Sequence, residues 1–181
     1  LNPIANNHII GMLEKEGVEV VSSDLLTLFL ASAYNQTYNY KHLDGSLKGH
    51  IAGKAMLKMI EHYQKIYLEV LETSKRFEAP SRIASLAHDA GEIIGLGNQS
   101  GEGWKLPGEI REMAHQGVSH IVCMQPFGCL PAHVNARGII KAVKARHEKL
   151  QIVPIEYDPG SSEVNQLNRI KLMLASAFGQ I

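Results

Sequence analysis

"VSHIVCMQPFGCLPAHV" (118–134) passes from an apolar, β-branched stretch through a Pro/Gly turn into a helical pattern, and this succession decides the fold. "VSHIVCM" (118–124) predicts a strand. Pro126 and Gly128 break it, and Pro131 suits the first turn of a helix over 131–149, where a missing N–H costs nothing. The same succession recurs on either side. Upstream, "EIIGLG" (92–97) leads through "NQSGEG" into "KLPGEIREMAHQG" (105–117); downstream, "LQIVPIEYD" (150–158) leads through "PGSS" into a helix from about Glu163 to Ala177. In that last helix Val164, Leu167, Ile170, Leu174 and Phe178 recur at helical spacing, and Ser161 or Ser162 can cap it. Near the start, "HIIGMLEKEG" (8–17) reads as a helix feeding a strand "VEVVS" (18–22).

Short apolar strands alternating with amphipathic helices predict a parallel sheet. The expected fold is α/β: a three-layer, Rossmann-like single domain over 1–181 with about four parallel strands, near 18–22, 92–96, 119–124 and 151–156. The regularity lapses over about 24–77. There, 24–33 is apolar and helical, the tyrosine-bearing "NQTYNYKHLDGS" (35–46) reads as a loop, and 47–77 reads as a long helix or two. This stretch is expected to be a helical insertion beside the sheet.

The chain has 181 residues, of which 45% are hydrophobic, enough to bury one good core. Eighteen basic residues balance 18 acidic ones, so no overall field favours nucleic acid or an anionic membrane surface. The longest apolar run, "LLTLFLASA" (25–33), is too short to cross a bilayer. No basic stretch leads into an apolar one at the start, and the only two cysteines suit a reducing, cytoplasmic setting. Leu1 in place of Met leads us to expect a piece of a longer chain.

In an open parallel sheet, ligands collect at the carboxyl ends of the strands. The glycines of "GLGNQSGEGW" (95–104) invite a dinucleotide reading. However, the third glycine falls one position late and no acidic residue ends the next strand to hold a ribose. Turn geometry alone, or contact to a phosphate or thioester through backbone N–H groups, remains open for Gly97, Gly101, Glu102 and Gly103. Asp158, preceded by Glu156, is a candidate base or ligand, or the first residue of an Asp-Pro-Gly turn. Cys123 lies within a strand, where cysteine behaves as a small hydrophobe. Cys129 sits between turn residues just ahead of a helix, where negative charge is favoured, with His133 close in sequence. A thiol nucleophile paired with His133 or a soft-metal ligand would both fit Cys129. Two thiolates are too few for an iron–sulfur cluster, which takes about four.

"NQSGEGWKLPGEI", "IVCMQPFGCLPAHV" and "IEYDPGSSEVNQLNRIKLML" resemble the C-terminal part of the large fused activators of 2-hydroxyacyl-CoA dehydratases, also called CoA-substrate-specific enzyme activases. The resemblance is dense over 92–174 and diffuse over 1–80. It implies a domain similar to the dehydratase subunits, acting in an ATP-dependent iron–sulfur electron-transfer system in the cytoplasm. Cys129 and Cys123 are then candidate ligands of a [4Fe–4S] cluster completed by cysteines upstream of Leu1, and ATP is bound by a missing N-terminal part. Expected partners are the rest of its own chain and a dehydratase-like or low-potential redox partner, with no nucleic acid and no membrane. Alone, the piece should be catalytically silent, and its substrate and oligomeric state stay open. The alternative is a non-catalytic docking domain between the activator ATPase and its electron acceptor, with the helix over 47–77 as its surface.

Overall fold

A computed structural model describes residues 6–158 and 160–179. Pro159, part of the expected Asp-Pro-Gly turn, lies outside the described residues. In chain order the elements are α1 (Ile9–Lys15), α2 (Leu26–His42), α3 (Leu47–Glu72), α4 (Ile83–Gly91), α5 (Lys105–His115), β1 (His120–Pro126), a π-helical segment Pro131–Arg137, α6 (Ile140–Lys144), β2 (Gln151–Tyr157) and α7 (Glu163–Ala177). The expected three-layer, Rossmann-like sheet of about four strands is therefore wrong. Helices dominate, and the described residues form one open, two-stranded parallel sheet. Among the described residues no helix is long and apolar enough to cross a membrane.

The two missing strands fail for local reasons. At 92–97, the N–H groups of Ile93 and Ile94 both donate to the Ala90 carbonyl, so the backbone prolongs the last turn of α4 instead of offering a ladder. Ile94 and Leu96 still pack on the core, which is why the segment looked like a strand. At 18–22, Val18 and Val20 face inward while Glu19 and Val21 are exposed. The alternation of a strand is there, but among the described residues no ladder bonds are.

The chain divides into two compact units: the described residues of Leu1–Ser22 with Met113–Ile181, and Ser23–Glu112. In the first unit β1 and β2 run parallel, with Ile121 opposite Ile152, Cys123 opposite Pro154 and Gln125 opposite Glu156. Pro154 removes one donor from β2, as suits a strand at a sheet edge. Ile155 meets Ile9 and Leu13 of α1 and Ile170 and Leu174 of α7 to form this unit's core. α7 has the expected bounds and its Ser162 hydroxyl accepts from the Asn165 N–H, but its inward face is turned from the expected one. Val164 and Phe178 are 65% and 51% exposed, and Gln166 and Met173 are buried. The expected helix over 131–149 is a π-helical segment followed by the short α6, ending at Lys144.

In the second unit, α2 continues through the segment expected to be a loop at 35–46 as far as His42. Its polar residues have work inside the unit. Asn35 Oδ1 accepts from the indole N–H of Trp104 at 2.7 Å, and Tyr34 meets the Trp104 ring edge-on at 5.7 Å. Leu30, Ile60, Ile83, Leu86 and Trp104 form the core. α3 starts at Ser46, whose hydroxyl accepts from the Gly49 N–H. It passes so close to α2 at Gly53 that an added Cβ would lie 2.7 Å from the Ala33 carbonyl oxygen and 2.8 Å from Gln36 Cβ.

Gly53→Ala tests that contact by its sign. Intrinsic helix propensity alone would stabilise α3 by about 1 kcal/mol. Overpacking against fixed backbone should outweigh it and destabilise by about 1–3 kcal/mol, read from the urea midpoint. A stabilised Gly53→Ala chain would show that α2 and α3 do not touch there.

Candidate functional site

The ladder register sets Gln125, the second-last residue of β1, directly across from Glu156, the second-last of β2. Gln125 is only 1% exposed. Its amide donates from Nε2 to Glu156 Oε1 at 3.2 Å. Arg137, at the end of the π-helical segment, donates from Nη1 to the same oxygen at 3.1 Å. His133, one turn earlier, brings Nδ1 within 3.5 Å of Gln125 Nε2 and 3.9 Å of Glu156 Oε1. A carboxylate, a guanidinium, an imidazole and a buried amide thus converge at the carboxyl edge of the strand pair, where a parallel sheet offers a ligand site.

Support comes from α7. Gln166 donates to the Glu156 carbonyl and to the Ser161 hydroxyl, both at 2.6 Å, and accepts from Asn7 Nδ2 at 3.0 Å. This is why a polar residue occupies the inward face of α7. It ties the strand end, the following turn and the N-terminal segment together.

The orientation of the Gln125 amide follows from charge. Turned over, it would set Oε1 against the Glu156 carboxylate, acceptor against acceptor. With Nε2 facing Glu156, two buried atoms have no hydrogen-bond partner: Gln125 Oε1 and His133 Nε2. The site therefore presents an unmet amide oxygen and an unmet imidazole nitrogen, both desolvated. Asn6, Asn39, His50 and Arg111 also hold buried polar atoms in this state; the pair at the strand edge differs in lying beside Glu156 and Arg137, where a ligand or a water could supply the missing partner. Such a ligand would donate to Gln125 and hydrogen-bond, or exchange a proton with, His133. Around the turn Phe127, Leu130 and Val134 are exposed, so apolar surface borders the polar pair.

The sequence-derived candidates divide between the two units. Cys123, Cys129 and Asp158 belong to the unit with the sheet; Gly97, Gly101, Glu102 and Gly103 belong to the helical unit. Cys129, half-buried, follows the turn whose bond runs from its N–H to the Pro126 carbonyl, and its own carbonyl accepts from the His133 N–H at 3.0 Å. Neither His133 ring nitrogen bonds the Cys129 thiol, so a Cys129–His133 nucleophilic pair is not assembled. Cys123, half-buried on β1, and Cys129 are not joined by a disulfide. Among the described residues no three His, Cys, Asp or Glu side chains gather as a metal site. Two thiols do not complete a four-ligand cluster, so the residues present do not by themselves fit one. Asp158 Oδ1 accepts from the Gly160 N–H at 2.6 Å and closes its own turn.

The glycine loop closes on itself. The N–H groups of Gly103, Trp104 and Lys105 donate to the carbonyls of Ser100, Asn98 and Glu102, and the Asn98 and Gln99 side chains donate to Gly95 and Leu96. Gly103, at φ +41, leaves no room for a Cβ, which would lie 2.0 Å from the Asn98 carbonyl oxygen. The N–H groups of Gly103, Trp104 and Lys105 are therefore already engaged within the loop.

No protein-family model, no curated protein and no solved structure matches this chain.

Sequence reading picked out Cys129, His133 and the Glu156–Asp158 pair but missed Gln125, Arg137 and Gln166. Amides and a half-exposed arginine carry no motif. The only available signal was the placement of Gln125 and Glu156 at equivalent positions near two strand ends. Also missed was a buried pair in the helical unit: Lys105 Nζ lies 2.6 Å from Glu109 Oε1 with both side chains almost wholly enclosed. Burial pushes the Glu109 carboxyl above its ordinary value, and Lys105 opposes the rise. The folded chain therefore holds this proton to higher pH than the unfolded one, and the group's contribution to stability falls as pH rises from the ordinary value through the folded one. Glu109→Ala leaves a buried ammonium alone and should cost about 3–5 kcal/mol. Lys105→Met with Glu109→Leu should be neutral or stabilising and lack that pH-dependent decline, both read from urea melts across pH.

Proposed function

We propose that this chain is the non-ATPase part of an ATP-dependent activator of the 2-hydroxyacyl-CoA dehydratase type. In this reading it works in the cytoplasm within an iron–sulfur electron-transfer system, with ATP held elsewhere in its polypeptide. One observation carries the reading. Two of the three stretches on which the resemblance rests, 121–134 and 155–174, supply Gln125, His133, Glu156 and Gln166, and these meet at one strand edge. Gln125 Oε1 and His133 Nε2, both without a hydrogen-bond partner beside Glu156 and Arg137, give that edge groups with which to bind.

In this reading the carboxyl edge receives a small polar molecule, such as the thioester carbonyl and neighbouring hydroxyl of an acyl-CoA. Gln125 accepts from the hydroxyl, His133 hydrogen-bonds the carbonyl, and Arg137 holds the Glu156 side chain in place beside them. Cys129 and Cys123 contribute to a cluster whose other ligands are cysteines upstream of Leu1 in the same polypeptide.

The test uses the full-length protein reconstituted anaerobically with iron and sulfide. Cys129→Ser should lose most of the bound iron and acid-labile sulfide. His133→Gln should keep the iron yet lose acyl-CoA-dependent spectral change. Equal iron in wild type and in a Cys123→Ser/Cys129→Ser variant would defeat the cluster assignment.

A further inference from the structure

α3 carries apolar side chains on two faces. One face, with Gly53 and Ile60, is buried. Along the other run Leu47, Ile51, Met59, Tyr63, Ile66 and Val70, each between 56% and 67% exposed, with Ala55 exposed among them. A helix apolar on two faces is normally covered on both. This stripe extends along a 26-residue helix, about 39 Å long.

The charges beside the stripe say what covers it. The first half of α3 carries Lys48, Lys54 and Lys58 and no acid. The second half carries Glu61, Glu69 and Glu72, with Lys65 the one base, already engaged by Glu69 at 3.7 Å. A second α3 laid antiparallel brings each basic half against an acidic half; a parallel one sets like against like. The apolar residues obey the same reversal. About a twofold axis at Met59, small Ala55 falls opposite bulky Tyr63 and Met59 opposite itself, while Leu47 and Ile51 come within one residue, about 1.5 Å along the axis, of the levels of Val70 and Ile66. Lys48 then comes alongside Glu69 and Glu72 and Lys58 alongside Glu61, while Lys54 comes level with Gln64, next to a Lys65 that Glu69 of its own helix engages.

We propose that this chain self-associates as a twofold dimer through an antiparallel pair of α3 helices centred on Met59. Six side chains contributing on the order of 100 Å² each give roughly 600 Å² per copy. That is of the same order as the about 800 Å² per partner of a standard interface. The pairing is isologous and therefore closes at two copies. It rests on no part of the functional reading above.

Sedimentation equilibrium and light scattering on the full chain should show a dimer at micromolar concentration. Met59→Glu and Ile66→Glu, both at exposed positions, should keep the helical circular dichroism and weaken the dimer at least about tenfold. Lys48→Glu with Lys58→Glu should weaken it too, and adding Glu61→Lys with Glu69→Lys should restore it. Under mild oxidation Met59→Cys should trap a covalent dimer that wild type and Leu47→Cys do not form. A monomeric wild type, a dimer indifferent to Ile66→Glu, no rescue by the charge exchange, or trapping through Leu47→Cys would each overturn the proposal.

Discussion

The parallel pairing of β1 with β2 sets the terms for the rest of its unit. Seven residues of each strand are in register, and because side chains alternate faces, a slip of one residue would turn every one over. In the register observed, Ile121 and Ile152 are opposite neighbours, Ile155 faces α1 and α7, and Gln125 is set across from Glu156. The polar edge is thus a by-product of the apolar pairing beneath it. Parallel strands also cannot be joined by a tight turn. The connection that returns the chain from Pro126 to Gln151 is where Cys129, His133 and Arg137 reside. The covalent necessity of a crossover and the location of the site are one fact.

The helical unit solves a different problem. It buries a tryptophan, an ion pair and several polar side chains without a sheet to order them. Several enter with a partner: Trp104 with Asn35, Lys105 with Glu109, Arg111 with Asp89 and Glu92. Closed polar pairs of this kind contribute little net stability against apolar replacements of the same volume, but they strongly penalise arrangements in which a partner is absent. Close backbone approach at Gly53, and at Gly108 where an added Cβ would lie 3.0 Å from Leu86, has the same selective character.

Elements with a local cause were legible in the sequence. α7 starts at a serine cap, and β1 and β2 are apolar runs bounded by turn residues; all were foreseen. Segments whose state depends on a distant partner were not. "EIIGLG" has the composition of a strand, yet no neighbour takes up its backbone, and the end of α4 does. "NQTYNYKH" has the composition of a loop, yet Asn35 and Tyr34 meet Trp104, some seventy residues later, and the helix runs on. The site was half visible for the same reason. Cysteine, histidine and acids near a turn attract notice by residue type, whereas Gln125, Gln166 and Arg137 matter only through what they face.

The division of the chain has a consequence for its synthesis. The helical unit is one continuous stretch, complete once Glu112 has left the ribosome. The unit with the sheet is split, and its core needs Ile9 and Leu13 from the beginning together with Ile170 and Leu174 from near the end. Until β1, β2 and α7 are made, the apolar side of α1 lacks its partners, while the intervening unit is free to fold. At about 5–20 residues per second, that wait lasts roughly ten seconds. During it the exposed side of α1 is a natural recognition point for a holding chaperone, and a pause in translation between Glu112 and Glu163 would prolong the vulnerable interval without touching any residue of the finished protein.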